Sequence, residues 1–449
     1  IVDAIKTSEA TSTYIVYCIR FEGTETRRRY SDFLSLRAAL VSLHPCYIVP
    51  PLPPKNTLSS YAIAGTNPSK AKEDAALISR RKRTLQVFLN RCYAHRVLGV
   101  SPTFRRFLDS TLPWNEVLHS PPISQVPKNP LRAASSDPTS AELGILFAAL
   151  PLPGNTPLRS PDARFFDSEA FTAKFSQHLG GLMEKVNRRL VKRWSDAASD
   201  WGDLAGGMNG FAMRITDSEG SGLDEATEKV GEAVEGVYVN TNHMLHLWES
   251  QFTEPLNEYA QFSAIIKELL KYRHNKHVQY EITRELLESK RESLDELERS
   301  ELEARRLEKA LERVRIVSED GGTERAVPKE PEPSAQQSGG VGTSRMGSLP
   351  RRGGGFLGAL THTWQGMVDT DPEASRRNNI TKTRESIAIL DEALKALTAD
   401  LRHCSTTIQS DLDRFQRQKV TDIKEMCEDF SKFHREWASE VGFWCKIES

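Results

Sequence analysis

The sequence is poor in the residues from which covalent chemistry and metal sites are built. Its six cysteines (Cys18, Cys46, Cys92, Cys404, Cys427 and Cys445) are scattered, with no Cys-x-x-Cys pair. That argues against a zinc site or a disulfide framework and for a reducing compartment. No run of 18 apolar residues occurs, so no segment suits a membrane-spanning helix. Gly353-Gly354-Gly355 follows no strand and lacks the lysine of a phosphate loop. His243 and His246 stand three apart without carboxylate or thiol partners at metal-ligand spacing, and no Ser-His-Asp or Cys-His arrangement stands out. The expectation is a protein that is not an enzyme and uses no metal or cofactor.

Net charge is also nearly absent, at 60 basic against 61 acidic side chains, and this balance hides an asymmetry. Residues 1–110 carry 17 Lys and Arg against 8 Asp and Glu, a surplus of +9, which leaves −10 for the rest. A basic head on an acidic body points to an anion-binding module joined to a charged scaffold.

What is present divides the 449 residues into two or three parts. Ile1–Ile5 and Tyr14–Phe21 read as strands, Glu22-Gly23-Thr24-Glu25 as a turn, and Thr26–Tyr30 as a further extended run. The chain opens inside a strand, so the natural N-terminus is expected upstream. Phe33, Leu36, Leu40 and Leu43 then recur at helical spacing, as do Ile78, Leu85, Phe88 and Cys92 within Ala75–Tyr93. Between them the prolines of Val49–Pro54 favour an extended path. Three strands followed by helices around a proline loop predict a small α+β domain.

Residues 112–161 fill with Pro, Ser, Ala and Asn and read as a linker. Helical patterns follow over Phe165–Ile215, Leu223–Val317 and Arg376–Val441, with Pro255 expected to kink or break the second. Helices this long reach on the order of 100 Å. Their apolar stripes need one another or a second chain, so a dimer is expected. Ser318–Gly355 has little to bury and is predicted to be disordered.

One constellation carries binding chemistry. Arg29, within Arg27-Arg28-Arg29-Tyr30-Ser31-Asp32-Phe33, lies 26 residues before Lys55, which lies 26 before Arg81 in the run Arg80-Arg81-Lys82-Arg83. A strand end, a proline loop and a helix start are elements that converge readily. Guanidinium forks suit phosphate, lysine supplies a point charge, tyrosine offers a flat face, and a helix start favours anions. Arg29 is the expected ligand, with Arg27 and Arg28 supplying a general positive field.

These residues, with Pro50-Pro51-Leu52-Pro53-Pro54-Lys55 and Arg81-Lys82-Arg83-Thr84-Leu85-Gln86-Val87-Phe88-Leu89, resemble the PX (phox homology) domain. The resemblance implies that Arg29 holds a 3-phosphate, with Ser31 assisting, and that Tyr30 stacks under the inositol. Lys55 would meet the 1-phosphate and Arg81 the 4- and 5-hydroxyls, which implies phosphatidylinositol 3-phosphate. The segment from Asn56 to Asp74 departs from that pattern by its length. Glu254-Pro255-Leu256-Asn257-Glu258-Tyr259 and Lys271–Glu281 resemble the BAR domain of sorting nexins. Trp114–Pro122 and Asp371–Ile380 are similar to a fungal subgroup, that of sorting nexin 41 and autophagy-related protein 20. The implied organisation is a PX domain over 1–111 and a linker over 112–161. BAR-like helices then fill 162–317 and 376–449, around a disordered gap over 318–375. The implied roles are endosomal sorting and retrieval and selective autophagy. They place the protein at the cytoplasmic face of endosomes and the preautophagosomal structure, as a heterodimer with a sorting nexin 4-type protein and in contact with autophagy scaffold proteins.

A second motif lies in the gap. On a helical wheel, Phe356, Leu357, Leu360, Trp364, Met367 and Val368 share an arc of roughly 120°, opposite a nearly uncharged polar face. Such a helix, spanning 356–369, inserts by finding packing defects in curved bilayers rather than by lipid charge. The basic clusters Lys185, Arg188, Arg189, Lys192, Arg193 and Lys271, Arg273, Lys276 read foremost as solvated or salt-bridged faces. Two other classes stay open: a coiled-coil tether or scaffold whose basic domain binds another protein or anionic partner, and nucleic-acid binding. The second lacks an aromatic-lined groove or a known reader motif, so no nucleic acid is expected.

Overall fold

Turn chemistry at residue 22 organises the start of the chain. Glu22 and Gly23 take φ of 47° and 83°, as a two-residue type I′ hairpin requires, and glycine meets that demand without steric cost. The hairpin joins β2 (Ser12–Phe21) to β3 (Thr24–Arg29), and β1 (Asp3–Glu9) pairs on the other edge of β2. The result is an antiparallel meander in the order β1-β2-β3. The computed structural model describes residues 1–9, 12–53, 70–154, 157–215, 222–319 and 372–444. Lys55, the Ser318–Gly355 stretch beyond residue 319 and the amphipathic 356–369 segment lie outside the described residues.

Strand alternation sends Thr26 and Arg28 of β3 inward and Arg27 and Arg29 outward. The Asp32 carboxylate then accepts the Arg29 backbone N–H at 2.8 Å, a bond typical of helix entry. The strand therefore ends at Arg29, and Tyr30 begins α1 (Tyr30–Leu43) instead of extending the strand. Helices α2 (Lys70–Ala94), α3 (Pro102–Leu108) and α4 (Trp114–His119) complete this part. Its core holds Tyr17, Phe33, Leu36, Phe88, Phe104 and Phe107, all buried. Edge-to-face contacts run from Tyr17 through Phe33 and Phe107 to Trp114.

The proline-rich stretch read as a linker is fastened to its surroundings. Trp114 and Val117 sit in the core just described, and Trp114 Nε1 donates to Ser35 Oγ at 2.7 Å. Further on, Phe147 of α5 (Ala141–Ala148) and Leu150 pack against Ala393 and Leu397. Buried Lys276 donates to the Asp400 carboxylate at 2.8 Å and the Ala133 carbonyl at 2.7 Å, and Asp400 also accepts from Ser135. Apolar residues in a proline-rich stretch gained a buried ion pair to anchor them.

The helical part comprises α6 (Ala163–Ser176), α7 (Glu184–Ile215), α8 (Leu223–Trp248), α9 (Glu254–Glu319) and α10 (Pro372–Trp444). Pro255 does perturb its helix. A π-helical turn over Glu249–Thr253 joins α8 to α9, taking up the backbone bond that proline cannot donate. A second π turn, Gln177–Met183, joins α6 to α7. Trp248 is buried among Met244 and Phe433, and its Nε1 donates to Asn187 at 2.8 Å. Along α7, Trp201, Leu204, Phe211 and Met213 remain exposed.

The chain forms two units, Ile1–Thr283 with Glu392–Ser449, and Arg284–Asp391. The second consists of the distal parts of α9 and α10. Arg291 pairs with Asp391 and Arg384 with Glu298, each at 2.7 Å, and the shielded Glu301 carboxylate gathers Arg305, Arg376 and Arg377. The charge-rich face of α9 is thus salt-bridged along and between helices. Among the described residues no helix is long and apolar enough to cross a membrane, and no group of His, Cys, Asp and Glu is placed to hold a metal.

Candidate functional site

The strand end and helix start that meet at residues 29–31 define the site. Arg29 projects from the outer face of β3 at the N-terminus of α1, and its guanidinium lies 3.5 Å from the centroid of the Tyr14 ring. Arg29 pairs with Val16 across the sheet, so Tyr14 is its diagonal neighbour on β2. Tyr30 is half-buried, donates its hydroxyl to the Pro53 carbonyl, and carries the Arg81 guanidinium 5.3 Å from its ring centroid. Burial raises the pKa of the Tyr30 hydroxyl, with Arg81 working against that shift, so at neutral pH it is a hydrogen-bond donor. Ser31 is exposed beside Asp32, with Oγ 3.4 Å from Oδ1. The structure thus sets Arg81 over the Tyr30 ring and Arg29 over a different ring, that of Tyr14, with Tyr30 and Ser31 opening the helix that follows Arg29.

Two details differ from the sequence-based expectation. Arg81 stands well inside α2, which begins at Lys70, so the helix N-terminus that serves the site is that of α1, whose first-turn N–H groups face anions. Arg28 also contributes no surface field. It is 7% exposed, donates to the carbonyls of Phe107 at 3.0 Å and Asp109 at 2.7 Å, and lies over the rings of Phe107 and Trp114. Burial lowers its pKa, with Asp32 and Asp109 opposing that, and the side chain acts as a strut.

The run Arg80-Arg81-Lys82-Arg83 is sorted by helix periodicity. Residues 80, 83 and 91 share one face of α2, and 81 lies about 80–160° around the helix from them. Arg80 meets Glu249 at 3.4 Å, Arg83 meets Glu254 at 2.6 Å, and Arg91 meets Glu258 at 2.6 Å and Asp422 at 2.8 Å. Buried His95 and the Ile48 N–H converge on Asp411 at 3.0 and 2.7 Å. Cys46 and Ile48 bury in the same core as Leu256, Tyr259 and Phe415. One face of α2 therefore serves the site and another clamps the long helices.

Sequence reasoning missed Tyr14, the clamp carboxylates and Arg37, whose Nε holds the proline loop through the Pro50 carbonyl at 2.8 Å. Strand pairing signals the first, and the i,i+4 spacing of Glu254 and Glu258 hints at the second. Of the two basic clusters, Arg188 pairs with Glu184, Arg273 with Asp162 and Lys276 with Asp400.

Known proteins share this architecture. The PX domain family matches residues 17–111. Sorting nexin-41 of Cryptococcus neoformans is 46% identical over 98% of this chain and 69% of its own length. Sorting nexin-41 of Yarrowia lipolytica is 38% identical over 98% of this chain and 76% of its own. Autophagy-related protein 20 of Gibberella zeae is 34% identical, over 98% and 81%. Among solved structures, the cryo-EM structure of the SNX-BAR Mvp1 tetramer is similar in fold, with a TM-score of 0.50 and 14% identity over 100% of this chain and 99% of that one.

Proposed function

The chain belongs to the fungal sorting nexin-41 and autophagy-related protein 20 family of PX-BAR proteins, and on that premise we propose a non-enzymatic peripheral membrane protein that reads phosphatidylinositol 3-phosphate. The observation that carries this reading is the exposed Arg29 fork at the N-terminus of α1, backed by Tyr14 and flanked by the Tyr30–Arg81 stack. A 3-phosphate takes two donors from Arg29 and the first-turn N–H groups, and the sugar ring lies on Tyr30. Arg81 reaches ring hydroxyls, and Lys55 adds charge for the 1-phosphate. The exposed apolar residues of α7 support dimerisation through the long helices, with a sorting nexin 4-type protein as partner. Lipid sites joined in a dimer combine by avidity, so each site is allowed to be weak. Endosomal retrieval and selective autophagy, including contact with autophagy scaffolds, are the processes this reading serves.

Liposome flotation tests it. Arg29→Ala is expected to abolish binding to vesicles containing phosphatidylinositol 3-phosphate at physiological salt. Selective binding that persists refutes the headgroup assignment. The sequence pattern of 356–369 supports a curvature-sensing insertion, so Trp364→Asp is expected to remove any preference for small vesicles while headgroup selectivity stays. An unchanged size preference rejects that part.

A further inference from the structure

A groove of about 880 Å³ runs between α2 and the long helices, a quarter turn around α2 from Arg81. Its apolar lining comes from Pro51, Pro53 and Val87 on one side and Ala260 and Met426 on the other. Val87 is 39% exposed, unusual for a valine on a face that otherwise meets the helices. Both π turns reach the groove, through Gly180 and Ser250. Such turns are frequent at functional sites.

Most of the charged side chains in the lining are acidic. Glu184, Glu254, Glu258, Asp422, Glu425 and Asp429 line the groove, against Arg80 and Arg91 alone. Both guanidiniums are already engaged, Arg80 by Glu249 and Arg91 by Glu258 and Asp422. Arg83, Arg188 and Lys432 neutralise Glu254, Glu184 and Asp429 from outside the lining. Six lining carboxylates against these five cations leave an excess of one, and Glu425 is exposed. Acidic and apolar side chains interspersed in one lining complement a chain that alternates cations with apolar side chains.

Position narrows the source of that chain. Pro53 lines the groove, and its carbonyl receives the Tyr30 hydroxyl, so groove and headgroup site share a wall. A protein whose headgroup site faces lipid holds this groove near the bilayer, where the flanks of membrane-spanning segments are enriched in Lys and Arg. We infer that the groove binds an extended basic and apolar peptide segment of the kind that flanks a membrane span. The membrane-flanking source rests on the headgroup reading, whereas the charge and shape of the groove do not.

Fluorescence anisotropy on the full chain, without membranes, tests this directly. The probe is a labelled octapeptide alternating Lys or Arg with Val or Leu, with a Glu-for-Lys/Arg version as control. The basic peptide is expected to bind in the micromolar range, weakening as salt rises. Glu425→Lys combined with Asp429→Lys, and separately Val87→Lys, should each weaken it by about tenfold or more. Both variants should still float with phosphatidylinositol 3-phosphate vesicles. Arg29→Ala should do the reverse, losing vesicles and keeping peptide, which separates a failed groove from a failed headgroup site. Equal binding of the acidic peptide, affinity unchanged in both groove variants, or no binding of the basic peptide below millimolar concentration overturns the inference.

Discussion

Arg28→Ala is the substitution that best separates scaffold from ligand in the arginine triplet. Arg28 makes two charge-assisted bonds to the carbonyls of Phe107 and Asp109 and covers two aromatic rings. Hydrogen bonds to a charged group contribute about 1.5–3 kcal/mol each. Truncation lets water reach Asp109, but Phe107 is fully buried and its carbonyl loses a buried partner. The expected cost is about 3–4 kcal/mol, a large share of a typical domain's stability. That lowers the first thermal transition of the full chain by roughly 6–15 °C, at about 2–4 °C per kcal/mol. Arg28→Lys should recover only part of this, because a point charge cannot span both carbonyls. Arg29→Ala should leave the melting temperature within about 2 °C, as an exposed substitution does. Differential scanning calorimetry paired with liposome flotation reads both effects. An Arg28→Ala protein that melts like the wild type yet no longer binds vesicles would show that Arg28 is a ligand and would refute the strut.

Two further predictions concern the clamp and the core beside it. Burial, and secondarily His95, hold the His44 imidazole down from 6.5 to about 4. The folded value lies below the unfolded one, so this stabilisation is complete above pH 6.5 and is lost as pH falls toward 4, by about 3 kcal/mol at most. The wild-type urea midpoint should fall more steeply across that window than that of His44→Gln, and parallel slopes would contradict the assignment. Arg91→Met strands the shielded carboxylates of Glu258 and Asp422 at a cost of about 3–5 kcal/mol. Hydrogen exchange should show α2 deprotected, with protection regained when Glu258→Met is added. No recovery in the double variant would mean that packing, not charge, holds α2.

The fold class was legible because its signals are local: alternation in β2, the Glu22-Gly23 turn and stripes spaced by three and four in the long helices. Arg29, Tyr30 and Arg81 drew notice because their chemistry is unusual at that spacing, and the structure lays Arg81 over the Tyr30 ring. Arg28 was not distinguished from its neighbours, although the period-2 rule for β3 already places it on the face opposite Arg27 and Arg29. The fastening of residues 133–150 stayed hidden for a different reason. It depends on Lys276 and Asp400, 124 residues apart in sequence, and on Phe147 finding Leu397. Composition reports what a segment is made of, and such pairings appear only when distant elements meet. The same holds for Glu254 and Glu258, which look like ordinary helix-surface acids until α2 arrives opposite them.

The sorted arginine run of α2 has a consequence for how this protein tolerates change. Each residue inserted upstream within that helix would rotate everything after it by about 100°. One such insertion would swing Arg80 toward Tyr30 and turn Arg81 to the place of Lys82, about 160° from where Arg80 stood, while Ser79, Lys82 and Asn90 took the clamp positions, with no charge gained or lost. Substitutions along α2 are therefore separable by face, whereas length changes are not. The Arg81–Tyr30 contact and the attachment to the long helices occupy one helix as two phases of a single periodic code.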